Sequence, residues 1–404
     1  MESAKQRKQH DILAELLEKG VDIPCPQAIE ISDDIDPTRI SADVTIHAGS
    51  KISGARTSIG PGSVIGNEAP ATVHNCQLGH DVTLSGGFFS GATFFDGASM
   101  GSGAHIRPGT ILEEQSSGAH TVGLKQTILL PFVTLGSLIN FCDILMAGGT
   151  SSKNHSEVGS SYIHFNFTPH QDKATPSLVG DVPRGVLLDQ RPIFLGGQGG
   201  LVGPCFIEYG TVIPAGLVCR KDVTEPDKIH IPHTLRAGSI AYRQGVYKSV
   251  KRIIQRNLIY IGNLHSLKAW YTHIRPLFVR DNFDQFTLDG GLANLDSALA
   301  ERIKRLGDLA SKFKYSLSEL AKIHDPMPAF ADQQQMFMDT WDKLKPQLQS
   351  SNSLLPPDSL ISEFKKRSSD DYVTAIQSLD QSIKTTATDW LGNIVDYYLN
   401  LFQF

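Results

Sequence analysis

The chain has 404 residues, which is enough for two or three domains. Hydrophobic residues make up 40% of it and charged residues 20%, a balance typical of globular proteins with a substantial core. The formal net charge of −5 excludes the basic excess that general nucleic-acid or anionic-membrane binding requires, so we expect neither kind of partner.

The N-terminus and the cysteines predict a cytoplasmic location. The first residues, MESAKQRKQHD, are polar and lack the apolar core of a signal peptide. No stretch approaches the 18 or so apolar residues of a membrane span. The cysteines are odd in number and scattered, with no CxxC pair, which fits a reducing compartment; they are Cys25, Cys76, Cys142, Cys205 and Cys219.

After a short amphipathic helix predicted over residues 3–19, a six-residue repeat dominates the chain. Aliphatic residues recur at steps of about six, first from Ile40 to Ile65 and later from Leu195 to Ile213. A glycine often stands three positions after the aliphatic residue, as at Gly49, Gly62, Gly103, Gly109, Gly210 and Gly216. Neither the helical nor the strand period explains this spacing, whereas a triangular coil with one hexapeptide per face does.

The repeat therefore predicts a left-handed parallel β-helix over residues 37–238, preceded by a lead-in over residues 1–36. The aliphatic side chains point inward, and the glycines turn the corners. We predict that the following side chains are inside: Ile46, Ile52, Ile65, Ile106, Leu201, Ile207 and Ile213.

The repeat is interrupted in three places. Residues 86–99 are interpreted as one distorted coil. Residues 143–157 and 181–193 are interpreted as loops that leave the coil, where function often resides on a rigid scaffold.

The composition changes near residue 240, and the rest of the chain predicts an all-α domain over residues 239–404. Apolar residues at helical spacing predict helices over 240–277, 292–323, about 331–348, 358–368 and 370–402. The basic run YRQGVYKSVKRIIQRN (242–257) fits a solvated helix face or a contact with a nucleotide phosphate.

Several stretches resemble the bifunctional N-acetylglucosamine-1-phosphate uridyltransferase/glucosamine-1-phosphate acetyltransferase family. LAELLEKGVDIPCPQAIEISDDIDPTRISADVTIHAGSKI (13–52) is similar to the start of that family's β-helix. HIRPGTIL (105–112) resembles its Arg-Pro-Gly coil, GSSYIHFNFTPHQDK (159–173) its Asn-Tyr coil, and GTVIPAGLVCRKDV (210–223) its closing coil. The resemblance covers about half the chain and implies a trimer with the acyl-donor groove between subunits.

The sequence departs from that family in two respects. Nothing resembles the uridyltransferase half, so we expect no pyrophosphorylase reaction. A relationship to UDP-N-acetylglucosamine pyrophosphorylases would rest on the β-helix alone. In GSLINFCD (136–143), Ser137 stands where the family has its catalytic histidine, and Asn140 replaces a substrate-binding tyrosine. Phe167 replaces the tyrosine of the Asn-Tyr pair.

Acyl transfer from a thioester to an amine needs a base for the amine proton, and imidazole suits that task. His155, in the segment inserted relative to the family, is the first candidate, and His164 is the second. Either could instead be an ordinary loop or coil histidine. Histidines and acids show no ligand spacing, so no metal is predicted.

Six further residues are predicted to bind substrate. The resemblance implies that Arg107 holds the sugar phosphate, for which a guanidinium fork is suited. Lys125 and Lys173 are weaker phosphate partners, and Asn140, Asn166 and His170 are possible hydrogen-bond partners of the substrate.

Two functions remain open at this point. The first is a coenzyme-A-dependent acyltransferase, with acetyl-CoA as co-substrate, acting on a phosphorylated or nucleotide-linked sugar as a homotrimer. The second is a catalytically silent β-helix that binds a sugar nucleotide or serves as an assembly scaffold.

Overall fold

A computed structural model describes residues 4–248, 250–323, 326–351 and 354–404. The first helix, α1 (Ala4–Lys19), leads into the coils as predicted, although residue 3 lies outside the described part. The coils form a left-handed parallel β-helix with three faces, and all strand pairs along these faces are parallel.

Face A contains nine short strands, which follow one another in chain order up the prism. They are Thr45–Ile46, Val64–Ile65, Thr83–Leu84, Ser99–Met100, Ser117–Gly118, Thr134–Leu135, Glu157–Val158, Phe194–Leu195 and Val212–Ile213. Face B contains Glu30–Ile31, Lys51–Ser53, Ala71–His74, Gly87–Ser90, Ala104–Ile106, Ile163–Phe165, Gly200–Val202 and Val218–Cys219. Face C contains Ser58–Ile59, Gln77–Leu78, Thr93–Phe94, Ile111–Leu112, Ser177–Val179 and Phe206–Ile207.

Two long strands, Gly123–Leu129 and Asn140–Met146, turn the corner from face B to face C and belong to both. Parallel pairing extends from a bridge between Asp22 and Thr45 to one between Val212 and Ile229. The first of these bridges involves Asp22, which precedes residue 37. The domain boundaries at residues 37 and 239 stay predictions.

The predicted inward side chains are confirmed. All seven aliphatic residues named above are at most 1% exposed, so the six-residue phase gave the correct register. The six glycines at the third position after an aliphatic residue all have φ between 70° and 80°. At Gly109 a Cβ would also lie 2.3 Å from the Gln126 side chain of the next coil, so this corner requires glycine on two grounds.

Two of the predicted interruptions need correction. Residues 86–99 form ordinary strands on all three faces rather than a distorted coil, because Phe89 and Phe94 fill the interior like the aliphatic residues elsewhere. Of residues 143–157, the first four belong to the strand Asn140–Met146. Only the antiparallel hairpin Gly149–Ser151/Asn154–His155 leaves the coil, and it does so at the edge between faces C and A.

The second insertion contains the short helix α2 (Val182–Gly185), and the C-terminal region is all helical. Its helices are α3 (Lys251–His273), α4 (Asn282–Ala321), α5 (Ala329–Gln349), α6 (Asp358–Lys366), α7 (Tyr372–Gln377) and α8 (Gln381–Asn400), with a 3-10 turn at Arg275–Phe278. The predicted start of α3 at residue 240 was too early, since the helix begins at Lys251. The segment predicted as one helix over 370–402 forms two helices, α7 and α8. Among the described residues, no helix combines the length and hydropathy needed to cross a membrane.

The helical region packs on face C. Asn294 of α4 accepts the Gly109 N–H at 3.2 Å and donates to Thr93 Oγ1 at 2.9 Å. A buried ion pair joins Arg302 of α4 to Asp143 at 2.8 Å. Face C is therefore covered, and faces A and B remain open to solvent over most of their length.

Candidate functional site

Face B brings several predicted binding residues together in successive coils. Lys125 is in register with Cys142, and Asn140 is in register with Gly123. The backbone N–H of Arg107 donates to Leu124 O at 2.9 Å, which puts Arg107 next to Lys125. Arg107 and Asn140 are exposed and Lys125 is half-buried. Three of the predicted groups thus form one polar, positively charged patch.

Cys142 lies beside this patch. Burial, reinforced by the nearby Asp143 carboxylate and opposed by Lys125, Arg302 and Arg107, raises the pKa of the Cys142 thiol to about 11. The thiol is therefore protonated near neutral pH and is not a ready nucleophile.

His164, one of the two predicted bases, points into the β-helix. It is 4% exposed, its Nδ1 lies 2.5 Å from Cys142 O, and its Nε2 lies 2.8 Å from Ser177 Oγ. A carbonyl only accepts, so Nδ1 carries the proton and Nε2 accepts from the serine hydroxyl. Burial lowers the pKa of His164 to about 4, which keeps the ring neutral. Both ring nitrogens are thus used within the coil.

His155, the other predicted base, lies at the end of the hairpin between faces C and A. Its Nδ1 donates to Ser152 O at 2.9 Å, which leaves Nε2 without a partner in the described part of the chain. The hairpin is held by α7, where Gln377 Nε2 donates to Thr150 O. Within one chain, His155 therefore lies at a different edge of the prism from Arg107 and Asn140 on face B.

Asn166, His170 and Lys173 belong to a loop that leaves the coil between faces B and C. Asn166 Oδ1 accepts from Thr175 Oγ1 at 2.6 Å and so fastens the two ends of this loop. His170 Nδ1 accepts the Gly245 N–H at 3.0 Å. The Lys173 side chain is exposed, and its backbone carbonyl accepts from Arg302 at 3.4 Å. Asn166 follows directly on a face B strand, whereas the His170 ring contacts the segment before α3 and the Lys173 backbone contacts α4.

The structure also reveals a pair that the sequence did not indicate. His120 Nδ1 lies 2.8 Å from Ser137 Oγ, at the edge between faces A and B. Both residues stand three positions before a face B strand residue, Gly123 and Asn140 respectively, and those two are in register. An imidazole therefore lies against the position where the resemblance leads one to expect a histidine, but it comes from the preceding coil. Ser117 is in register with Thr134, 17 residues later, and the same offset places His120 beside Ser137.

One group of potential metal ligands comes together from distant parts of the chain. Ligand spacing in the sequence could not indicate this group, because its histidine is far along the chain from its two aspartates. Ligand atoms of His80, Asp281 and Asp284 all lie within 4.8 Å of one another. However, Asp281 accepts from the first backbone N–H groups of α4, and Asp284 pairs with Arg280 at 2.8 Å. Both carboxylates are therefore already engaged in positioning α4.

Comparisons with known proteins agree with the resemblance of the coils. No protein-family model matches the chain. The bifunctional protein GlmU of Thermotoga petrophila is 28% identical over 212 residues, which are 52% of this chain and 42% of that protein. The bifunctional protein GlmU of Geotalea uraniireducens is 28% identical over 194 residues, which are 48% of this chain and 38% of that protein. The chain therefore spans about two-fifths of the length of these curated relatives.

Among solved structures, LpxA from Acinetobacter baumannii matches 46% of this chain and 68% of its own, with 14% identity and a TM-score of 0.21. This global similarity is weak and says nothing about function. About half of the chain thus resembles GlmU proteins.

Proposed function

We propose that the protein is a coenzyme-A-dependent acyltransferase that modifies a phosphorylated or nucleotide-linked amino sugar on face B, with acetyl-CoA as the acyl donor. The observation that carries this proposal is the juxtaposition on one open face of Arg107, Lys125 and Asn140 with the His120–Ser137 pair at its edge. The similarity of the coils to GlmU proteins supports the same reaction class.

In this proposal Arg107 and Lys125 bind the phosphate of the acceptor. Both side chains are cationic and accessible, and the exposed guanidinium can form a two-pronged hydrogen bond with phosphate oxygens. Asn140 is in register with Gly123, two residues before Lys125 on the same face. Its side chain offers both a donor and an acceptor to a sugar hydroxyl. The phosphate contacts orient the sugar so that its amine points towards the A/B edge.

His120 is the proposed base. With Nδ1–H donating to Ser137 Oγ, the lone pair of Nε2 is available to take the proton of the acceptor amine. The amine nitrogen attacks the thioester carbonyl, and a C–N bond forms. The C–S bond then breaks, and the departing thiolate takes the proton that His120 removed from the amine, so that coenzyme A leaves as the thiol. Ser137 positions the imidazole and fixes its tautomer.

His155 is retained as a second base, supplied by a neighbouring subunit of the proposed homotrimer. Its Nε2 has no partner in the described part of the chain, and its own hairpin cannot bring it to face B of the same chain. His164 supports this role less well, because both of its nitrogens are engaged within the coil.

A second function, a silent β-helix that binds a sugar nucleotide or acts as a scaffold, is favoured by one observation. Ser137 occupies the place where the resemblance implies a catalytic histidine. If the imidazole of His120 does no more than hold this corner together, the face B patch binds ligand without transferring an acyl group.

The two bases are distinguished by comparing acetyl transfer in His120→Ala, His155→Ala and His47→Ala. His47 is a half-exposed histidine on face A in an early coil and serves as the matched control. Loss of a general base should lower the rate about 10²- to 10⁴-fold with little change in substrate binding. We expect that loss in His120→Ala and a normal rate in His47→Ala. A normal rate in His120→Ala with a large loss in His155→Ala would assign the base to the hairpin.

A further inference from the structure

A large cavity lies outside the face B patch, where the β-helix meets the helical region. Its volume is about 1020 Å³, at the upper end of the range of small-molecule sites. Four parts of the chain line it: the 167–175 loop, the last coils, the 240–248 segment that precedes α3, and the ends of α3, α4 and α5. A ligand held there would contact both parts of the protein.

One wall of the cavity is aromatic and aliphatic. Phe167, Ile240 and Tyr242 line it and are 73%, 93% and 64% exposed, which is unusual for side chains of this size. The Tyr242 ring stacks on His170 with the centroids 5.8 Å apart and the planes 11° from parallel, and the His170 ring also meets Tyr247 edge-on at 4.8 Å. These contacts hold Tyr242 in place and give the cavity a preformed aromatic surface.

The charges around the cavity are mostly positive. Its cationic lining residues are Arg220, Arg243, Lys248 and Arg252, and its acidic one is Asp172. The Asp172 carboxylate is already engaged, since Oδ2 accepts from Tyr247 Oη at 2.9 Å and Oδ1 accepts the Ala174 N–H at 3.0 Å. The lining therefore carries an excess of cationic groups beside a carboxylate that is internally satisfied.

Not all four cations are available. Arg252 is held by Asp222 and by Pro204 O, and Arg243 lies 3.8 Å from Glu319. Lys248 and Arg220 have no carboxylate partner in the described part of the chain. Two cations are thus free to meet an anion next to the aromatic wall.

We propose that this cavity binds a nucleoside diphosphate group, with the phosphates on Lys248 and Arg220 and the base on Tyr242 and Phe167. Aromatic side chains stack on any base, and lysine and arginine bind phosphate. The site is separate from the face B patch and does not depend on acyl transfer. Both a free nucleotide and a nucleotide-containing substrate carry this group.

The proposal is tested by titrating the full-length protein with UDP, ADP, coenzyme A, uridine, adenosine and pyrophosphate, and measuring affinity by calorimetry. We expect the two diphosphates to bind at least about ten-fold more tightly than the nucleosides or pyrophosphate, because only they use both the cations and the aromatic wall. Binding of coenzyme A in addition to UDP and ADP would identify the acyl donor as a source of the group. Binding of UDP without binding of coenzyme A would identify a sugar nucleotide as the source. No binding by either diphosphate, or equal binding of pyrophosphate, would overturn the proposal.

Variants locate the site. Lys248→Glu and Tyr242→Ala should each weaken diphosphate binding about ten-fold or more, whereas Tyr242→Phe should retain it. Lys345→Glu, at an exposed position of α5, is the matched control and should bind normally. Normal binding by both Lys248→Glu and Tyr242→Ala would contradict the proposal, while failure of acyl transfer alone would leave it intact.

Discussion

The Arg275 guanidinium lies 2.8 Å from the Glu113 carboxylate and 2.5 Å from that of Glu114, in a buried junction between the β-helix and the helical region. Tyr271 Oη also donates to Glu113 at 2.6 Å, and the guanidinium lies over the Tyr372 ring at 4.0 Å from its centroid. One cation thus compensates two carboxylates away from water. This junction fixes the helical region on face C and leaves face B open.

Removing the cation should be costly. Arg275→Met leaves two buried carboxylates without their partner, and breaking a buried pair in this way costs about 3–5 kcal/mol of the free energy of unfolding. Chemical denaturation measures the change. The control is Lys51→Ala, whose exposed ion pair with Glu30 should change the same quantity by less than about 1 kcal/mol. A loss as small as that of the control would mean that the junction does not hold the two parts together.

The same junction predicts a pH dependence of stability. Burial raises the pKa of Glu113 from 4.5 to about 7, opposed by Arg275 and reinforced by the neighbouring Glu114. Between these two values the folded state binds more protons than the unfolded state, so the contribution of Glu113 to the free energy of unfolding falls as pH rises from about 4.5 to about 7. It is largest below that window and constant above it.

Glu113→Gln tests this dependence, because glutamine cannot titrate. The stability of wild type relative to Glu113→Gln should decrease between about pH 4.5 and about pH 7, measured by urea denaturation at several pH values. Comparison with the variant removes the contributions of other carboxylates. Parallel stability curves for the two proteins would show that the Glu113 carboxylate does not have a raised pKa.

The interior of the β-helix should tolerate no charge. Ile207 is fully buried on face C, so Ile207→Asp places an unpaired carboxylate in the stacked core and should prevent stable folding. Ile231→Asp is the matched control, since Ile231 is 70% exposed and its replacement should leave the melting temperature nearly unchanged. Circular dichroism with thermal melting separates the two outcomes. A folded Ile207→Asp protein would mean that the coil register is wrong.

Arg107 should contribute to binding through charge. Arg107→Ala should weaken binding of glucosamine 1-phosphate, and the loss should shrink at high salt, where screening already weakens the contact. Calorimetry at low and high ionic strength measures both effects. Arg191→Ala, at a 72% exposed arginine that pairs with Asp227, should bind like wild type. If the loss is the same at both salt concentrations, Arg107 does not act through the phosphate charge.

The proposed assembly is a homotrimer formed through the open faces of the β-helix. Sedimentation velocity at micromolar concentration should then give a single species of three times the chain mass. A clean monomer would remove the contribution of a neighbouring His155 and the groove between subunits. It would leave the His120–Ser137 pair, which one chain forms alone, as the only proposed base.

The six-residue phase was sufficient to predict the coil interior, because each inward position stacks on its counterparts in adjacent coils and the same residue type therefore recurs at a fixed step. Ile46 and Ile213 illustrate this at opposite ends of the repeat. The orientation of His164 was not predictable in the same way, since its register partner Leu201 lies beyond two insertions that hide the alignment. The packing of the helical region on face C could not be predicted either, because it depends on contacts such as Arg302–Asp143 between residues far apart in sequence.

The site was only partly predictable. Arg107 and Asn140 were found from motif similarity and Lys125 as a cationic side chain outside the motifs, and the coil geometry brings the three together. His120 was missed because motif comparison searches position by position, whereas a β-helix places equivalent positions of successive coils side by side. The coil length of 17 residues at Ser117–Thr134 was the signal that would have paired His120 with Ser137.

The measurement that tests the central claim most directly is transfer of labelled acetyl from acetyl-CoA to an amino sugar phosphate by the wild-type protein, with mass-spectrometric detection of the product. A panel of glucosamine 1-phosphate and nucleotide-linked amino sugars is incubated with equal amounts of wild type and His120→Ala. The acyltransferase account predicts one acetylated sugar for each free coenzyme A thiol with wild type, and a rate about 10²- to 10⁴-fold lower with the variant. Binding of these sugars by the wild-type protein without any acetylated product would contradict it and establish the silent β-helix instead.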